Sequence, residues 1–215
     1  MIPGPIFASA GHGQEGESMA EPTTQQRTAS NQAVSRPDIH IASLRLRVDA
    51  VDAIVLSPTG LTVSSAAARR ADTAFPKLVS HVCVSGGHQR FGEEIIGTEP
   101  AHLVEHLAIE LMVQTAAFDE RERSKVAIPD RQLRADHTYT GHTSQVNRLP
   151  SDDPAFDPYQ VSITYDNDLV AIRALRYACD IASWIMSADN DPNGPSANIP
   201  SFAGVLKELL RLYRS

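Results

Sequence analysis

YQVSITYDNDLVAIRALRYACDIASWIM, residues 159–186, holds the two periods from which the fold is read. Its first seven residues alternate, with Tyr159, Val161, Ile163 and Tyr165 on one side and Gln160, Ser162 and Thr164 on the other. Side chains of an extended chain point to opposite faces in turn, so Tyr159–Tyr165 reads as a half-buried strand. From Asp168 the apolar spacing changes to three and four, through Leu169, Ile172, Leu175, Ala178, Cys179 and Ala182. That spacing predicts a helix from Asp168 to Met186. Asp166 and Asp168 lie at the junction, where a helix start favours negative charge.

The same periods recur upstream. Ile39–Val48 alternates and reads as a strand, with a second short strand at Ala53–Leu56. Pro58-Thr59-Gly60 is turn chemistry, and Leu61–Val63 is expected to leave it as a strand. Ser64–Lys77, rich in Ala and Arg, reads as a helix ending near Pro76. Leu78–Val84 is β-branched and apolar, which predicts a strand. Ser85-Gly86-Gly87-His88 is a glycine loop without the Gly-Lys-Ser/Thr ending or the GxGxxG of a nucleotide site. Thr98 is expected to cap a helix whose first turn holds Glu99 and Pro100 and which runs to about Ala117. Tyr139–Val146 reads as a further strand, and Pro150–Pro158 as a polar loop. Strands and helices in this order predict an α+β domain, a mixed or antiparallel sheet packed against two or three helices.

That domain is placed at residues 38–187. Residues 1–37 are rich in Gly, Ser, Thr, Gln, Glu and Pro without an apolar period and read as a disordered tail. Residues 188–215 read as a linker and an amphipathic helix, with Phe202, Val205, Leu206, Leu209, Leu210 and Tyr213 on one stripe. The densely charged Phe118–Asp136 reads as a solvated excursion.

Composition narrows the function classes. Nineteen basic against 26 acidic residues give a net charge of −7, which argues against nucleic acid or an anionic membrane as partner. No apolar run is long enough to span a bilayer. Two cysteines, Cys83 and Cys179, are too few for a disulfide framework and point to reduced thiols in a cytoplasmic protein.

The chemistry concentrates in one helical turn, His102-Leu103-Val104-Glu105-His106. Residues four apart on a helix lie nearly above one another, so His102 and His106 share a face and Glu105 stands beside them. Two imidazoles so spaced can hold a divalent ion such as zinc, and the glutamate can accept a proton from a metal-bound water. This is the logic of the HxxEH pattern. Glu110 is a turn too far to converge on the same ion and is expected to orient His106 or to face solvent. A third ligand from another segment is required, with Asp166 and Asp168 as candidates. His81 and Cys83 are set aside as a second metal site, on the expectation that a strand turns them to opposite faces.

Read together, His81-Val82-Cys83, Phe91-Gly92, Gly97-Thr98, the His102–His106 turn running on through Leu107-Ala108-Ile109-Glu110-Leu111, and Gly141-His142-Thr143 resemble the N-terminal domain of cyanophycin synthetases. The likeness covers roughly residues 40–187. Cyanophycin is a poly-aspartate backbone bearing arginine on its side-chain carboxyls. In that family the domain binds the polymer, and in some members it is similar to a metallopeptidase that cuts it. The resemblance implies His102 and His106 as zinc ligands, Glu105 as general base, Asp168 as third ligand, and an amide-hydrolysing activity on a peptide or cyanophycin-like polymer. It also implies a freestanding accessory domain that neither ligates nor uses ATP, and it leaves self-association into a homo-oligomer open. Ser144 stands where the family has arginine, Asp168 where it has glutamate and Ala171 where it has glycine. These departures frame the competing expectation, a non-catalytic polymer- or protein-binding accessory module.

Overall fold

The computed structural model describes residues 36–83, 90–125, 139–149 and 152–187, with the backbone alone over 118–125. Four strands form one antiparallel sheet: β1 (His40–Leu46), β2 (Ala50–Pro58), β3 (Gly141–Gln145) and β4 (Phe156–Thr164), in the spatial order β1-β2-β4-β3. The helices are α1 (Ser65–Ala74), a single-turn α2 (Phe91–Glu94), α3 (Pro100–Lys125) and α4 (Asp168–Met186). The α+β expectation therefore holds, with the sheet wholly antiparallel.

Register explains which face is covered. Val51 pairs with Ile163, Ala53 with Val161 and Val55 with Tyr159. All six are buried, so one face of the central pair is continuous apolar surface. α3 and α4 pack on each other across that face, α3 over β2, β3 and β4 and α4 over β1 and β2. Leu103, Leu107, Leu111, Leu175, Ile181 and Ile185 from these helices are fully buried. Each contributes about 1.5–3 kcal/mol by leaving water. Opposite them, Asp52 accepts from Ser162 at 2.6 Å and pairs with Arg47 at 3.2 Å on the more open face.

Edge strand β3 carries the same alternation toward the helices. Thr143 sits opposite Val161 and Gly141 opposite Ile163, so both belong to the covered face. Where another strand would hold apolar side chains, β3 presents glycine and threonine beneath α3.

Local chemistry sets the ends. The Ser64 hydroxyl accepts from the Ala67 amide and starts α1, and the Asn167 side chain accepts from Val170 and starts α4. Gly60 closes the turn after β2 at φ 72, a conformation that glycine adopts without a Cβ penalty. Arg148 braces this corner by donating to Asp157 at 2.6 Å and to the Thr59 hydroxyl at 2.9 Å.

Several expectations are corrected. Leu61–Val63 is not a strand: Val63 alone exchanges backbone hydrogen bonds with Gly97 and Thr98 before Ser64 caps α1. Leu78–Val84 is no strand over its described part either. After Pro76, the amides of Leu78, Ser80 and His81 are taken by carbonyls three residues back, which coils Leu78–Ser80 into a 3₁₀ turn. Only an isolated bridge, Val82 to Arg90, follows. Thr98 does not cap α3, because its hydroxyl donates to the Ile95 carbonyl, and the helix begins with Pro100. α3 also passes Ala117 and is helical through Lys125. The readings for residues 1–35, Ser85–His88, 126–136 and 188–215 lie outside the described residues.

Candidate metal centre

Both sides of α3 are covered, one by the apolar core and the other by the Leu78–Cys83 segment, α2 and β3. Its polar residues are therefore buried as well: Glu105 is 5% exposed, His106 3% and Glu110 2%. Buried polar groups at this level need partners, and each of these has specific ones.

Glu105 is held from β3. The Thr143 hydroxyl donates to its Oε2 at 2.5 Å. Glycine at 141 makes room, because a Cβ there would stand 2.5 Å from Oε1 of Glu105. The imidazoles are held by α2, where Phe91 stacks on His106 at 3.9 Å between ring centres and meets His102 edge-on at 5.2 Å.

The turn after α1 supplies two further groups. Cys83 Sγ lies 3.3 Å from His102 Nε2 and donates to Glu94 Oε2 at 3.2 Å. His81 places Nδ1 3.3 Å from His106 Nδ1 and Nε2 2.8 Å from Glu110 Oε2. Gln114, one turn beyond, donates to the other oxygen of Glu110.

Cys83, His102 and His106 offer ligand atoms that all lie within 4.8 Å of one another and could hold a metal ion. An ion with bonds of about 2.3 Å to sulfur and 2.0–2.1 Å to nitrogen would set S and N about 3.5 Å apart in a tetrahedron, close to the Cys83–His102 separation. Nε2 of His106 is buried and has no hydrogen-bond partner among the described residues, as a ligand atom awaiting an ion would be.

Electrostatics suit the same purpose. Burial, then the charges of His102 and His81, hold the His106 imidazole down to about 3. Burial likewise lowers His102, against the pull of Glu94 and Glu99. Both rings are neutral at pH 7, the form that binds metal. Burial raises Glu105 above the usual carboxylate range, although the Thr143 hydrogen bond and His142 work against it. Burial also acts to raise Glu110, but the hydrogen bonds from His81 and Gln114 outweigh it and leave it lowered. The cluster opens into a cavity of about 1510 Å³ whose wall includes His81, Cys83, His102, Glu105, Tyr139 and Thr143.

His102 and His106 lie 5.0 Å apart between ring centres and line the same cavity as Glu105. The structure does not bring Asp168 to them: Oδ1 of Asp168 accepts from the Leu169 amide at 2.8 Å, as acids do at a helix start with unpaired amides. Asp166 accepts from the Tyr139 hydroxyl at 3.3 Å, and neither acid lines the cavity. Glu110 orients His81 rather than His106. The expectation that His81 and Cys83 face apart fails twice. Residues two apart on a strand share a face, and this segment is a turn that aims both at α3. Their His-x-Cys spacing, with Pro76 upstream to break a strand, was the signal available.

No protein-family model and no curated protein matches the chain. No helix among the described residues is long and apolar enough to cross a membrane.

Proposed function

We propose that this protein is a zinc-dependent hydrolase of amide bonds in a peptide or cyanophycin-like polymer, related to the N-terminal domain of cyanophycin synthetases. The observation that carries the reading is the Cys83–His102–His106 cluster, which shares a cavity wall with the buried carboxylate of Glu105, on the same helical turn as the two histidines. Cys83, His102 and His106 would hold the ion. A bound zinc would polarise the scissile carbonyl and bring the pKa of a water from near 16 toward about 7.

The protein's own groups do the rest. Glu105 takes the proton of the attacking water and returns it to the leaving nitrogen, a role that favours a carboxylate raised toward neutral pH. Thr143 fixes the carboxylate through Oε2, which leaves Oε1 for the proton. Phe91 holds both ring planes, so that proton transfer and substrate binding do not have to order them.

Zinc-loaded protein is to be incubated with casein-derived peptides and with a β-aspartyl-arginine polymer, and new amino termini counted. Glu105→Gln is expected to keep zinc and lose at least roughly 100-fold of the rate. Substrate binding without cleavage by the zinc-loaded wild type would instead establish the accessory-module reading.

A further inference from the structure

We propose that His81 and Glu110 form a proton-fixing relay that locks His106 in its Nδ1–H tautomer and so leaves Nε2 as a bare lone pair. The use of that lone pair rests on the metal reading above, whereas the relay itself does not.

His102, His106, Glu110 and Gln114 follow one another at intervals of four, so they form a single ridge along α3. His81 reaches this ridge from the turn before Cys83 and bridges two of its members. Two hydrogens settle the directions. Gln114 donates its amide to Oε1 of Glu110, and Oε2 faces Nε2 of His81 at 2.8 Å. A carboxylate only accepts, so Nε2 of His81 carries the hydrogen. In neutral imidazole the other nitrogen is then a bare acceptor. That nitrogen, Nδ1 of His81, lies 3.3 Å from Nδ1 of His106. The donor of this contact is His106 Nδ1–H, which strips Nε2 of its proton.

The opposite assignment strands a hydrogen. If His81 donated from Nδ1, His106 would have to carry its proton on Nε2, and this buried atom has no acceptor among the described residues. A buried donor without an acceptor costs about 1–3 kcal/mol. A lone pair at the same place costs this only until a ligand arrives. Stacking on Phe91 at an interplanar angle of 22° leaves the ring little freedom to escape by turning. His81 is thus a positioning residue, acting through His106 without touching substrate.

The test is a long-range ¹H–¹⁵N correlation spectrum of the metal-free, full-length protein at pH 7.5, with the His106 signals assigned from their loss in His106→Gln. Expected are an Nδ1–H pattern for His106 and an Nε2–H pattern for His81. His81→Leu is then expected to give a mixed or Nε2–H pattern at His106 and a zinc affinity roughly 10- to 100-fold lower by chelator competition. His81→Gln, which retains an acceptor oxygen, is expected to restore part of both. An Nε2–H pattern at His106 in the wild type overturns the relay, whether or not the variants fold. So does a folded His81→Leu that keeps the wild-type pattern and affinity. A wild type with the expected tautomers that binds no zinc leaves the relay standing and removes the metal reading.

Discussion

The Thr143 hydroxyl donates to Glu105 at 2.5 Å across the interface between an edge strand and the central helix. This bond ties the candidate base to the sheet, and it can be cut alone. Thr143→Val keeps the shape of the side chain and leaves a buried carboxylate oxygen without its donor, at a cost of about 1–3 kcal/mol. The pKa of Glu105 should rise further, so the acid-side limb of any hydrolysis profile should move to higher pH. Gly141→Ala acts by displacement, because the new Cβ would overlap Oε1 of Glu105. Activity should fall while bound zinc stays near one per chain, measured by metal analysis beside the rate. Loss of zinc in either variant would show that Glu105 is not separable from the ligand set.

Cys83 and Asp168 give opposite expectations for metal binding. Cys83 Sγ stands 3.3 Å from His102 Nε2, whereas Asp168 is engaged with the Leu169 amide in the first turn of α4. Cys83→Ser should weaken zinc by at least about tenfold, as the loss of a good ligand does, and should shift cobalt-substituted spectra by removing the sulfur charge-transfer band. Asp168→Asn should leave affinity unchanged. The reverse outcome would restore the acid as third ligand.

What was legible in the sequence follows physical range. β4 and α4 were readable because each buries one face, which writes its period into consecutive residues. The His102–Glu105–His106 arrangement was readable because a helical turn is local. The candidate third ligand was not, since Cys83 reaches the site only through a tertiary approach. The segment carrying it looks like a strand by composition, yet Pro76 and three local carbonyls coil it. Glu110 was ambiguous for a similar reason. On sequence it could face solvent, and only the cover supplied by His81 and Gln114 makes it a buried, lowered carboxylate.

Phe91 tests how far ring stacking, rather than ligation, holds the centre. It is fully buried and touches both imidazoles. Phe91→Ala should destabilise the metal-free protein by about 3–5 kcal/mol, the usual loss for a buried phenylalanine. Phe91→Leu retains most of the volume and should cost much less, yet it removes the flat surface against His106. If the stack orders the ring, Phe91→Leu should broaden the His106 signals while the urea midpoint stays close to wild type. Sharp, unshifted signals would mean that packing volume alone suffices.

Acid should destabilise the metal-free protein through His106. Its imidazole is held to about 3 when folded and returns to 6.5 when unfolded. Between these values the unfolded chain binds the extra proton, so stability is full above about 6.5 and falls as pH drops toward 3. His102, also lowered by burial, acts with the same sign. Glu105 acts with the opposite sign: its folded pKa is raised, so the folded form is favoured as pH falls through that value toward 4.5. The histidine side should dominate, because His106 and His102 act together against the single carboxylate. The full histidine swing is on the order of 3–5 kcal/mol at about 1.4 kcal/mol per pH unit. Urea midpoints of chelator-treated wild type at pH 7.5, 6, 5 and 4 should therefore decline steadily. His106→Gln, which cannot take the proton, should decline less over the same range. Parallel curves for the two proteins would mean that the imidazole is not held neutral by its surroundings, and with that the case for a ligand-ready ring would fail.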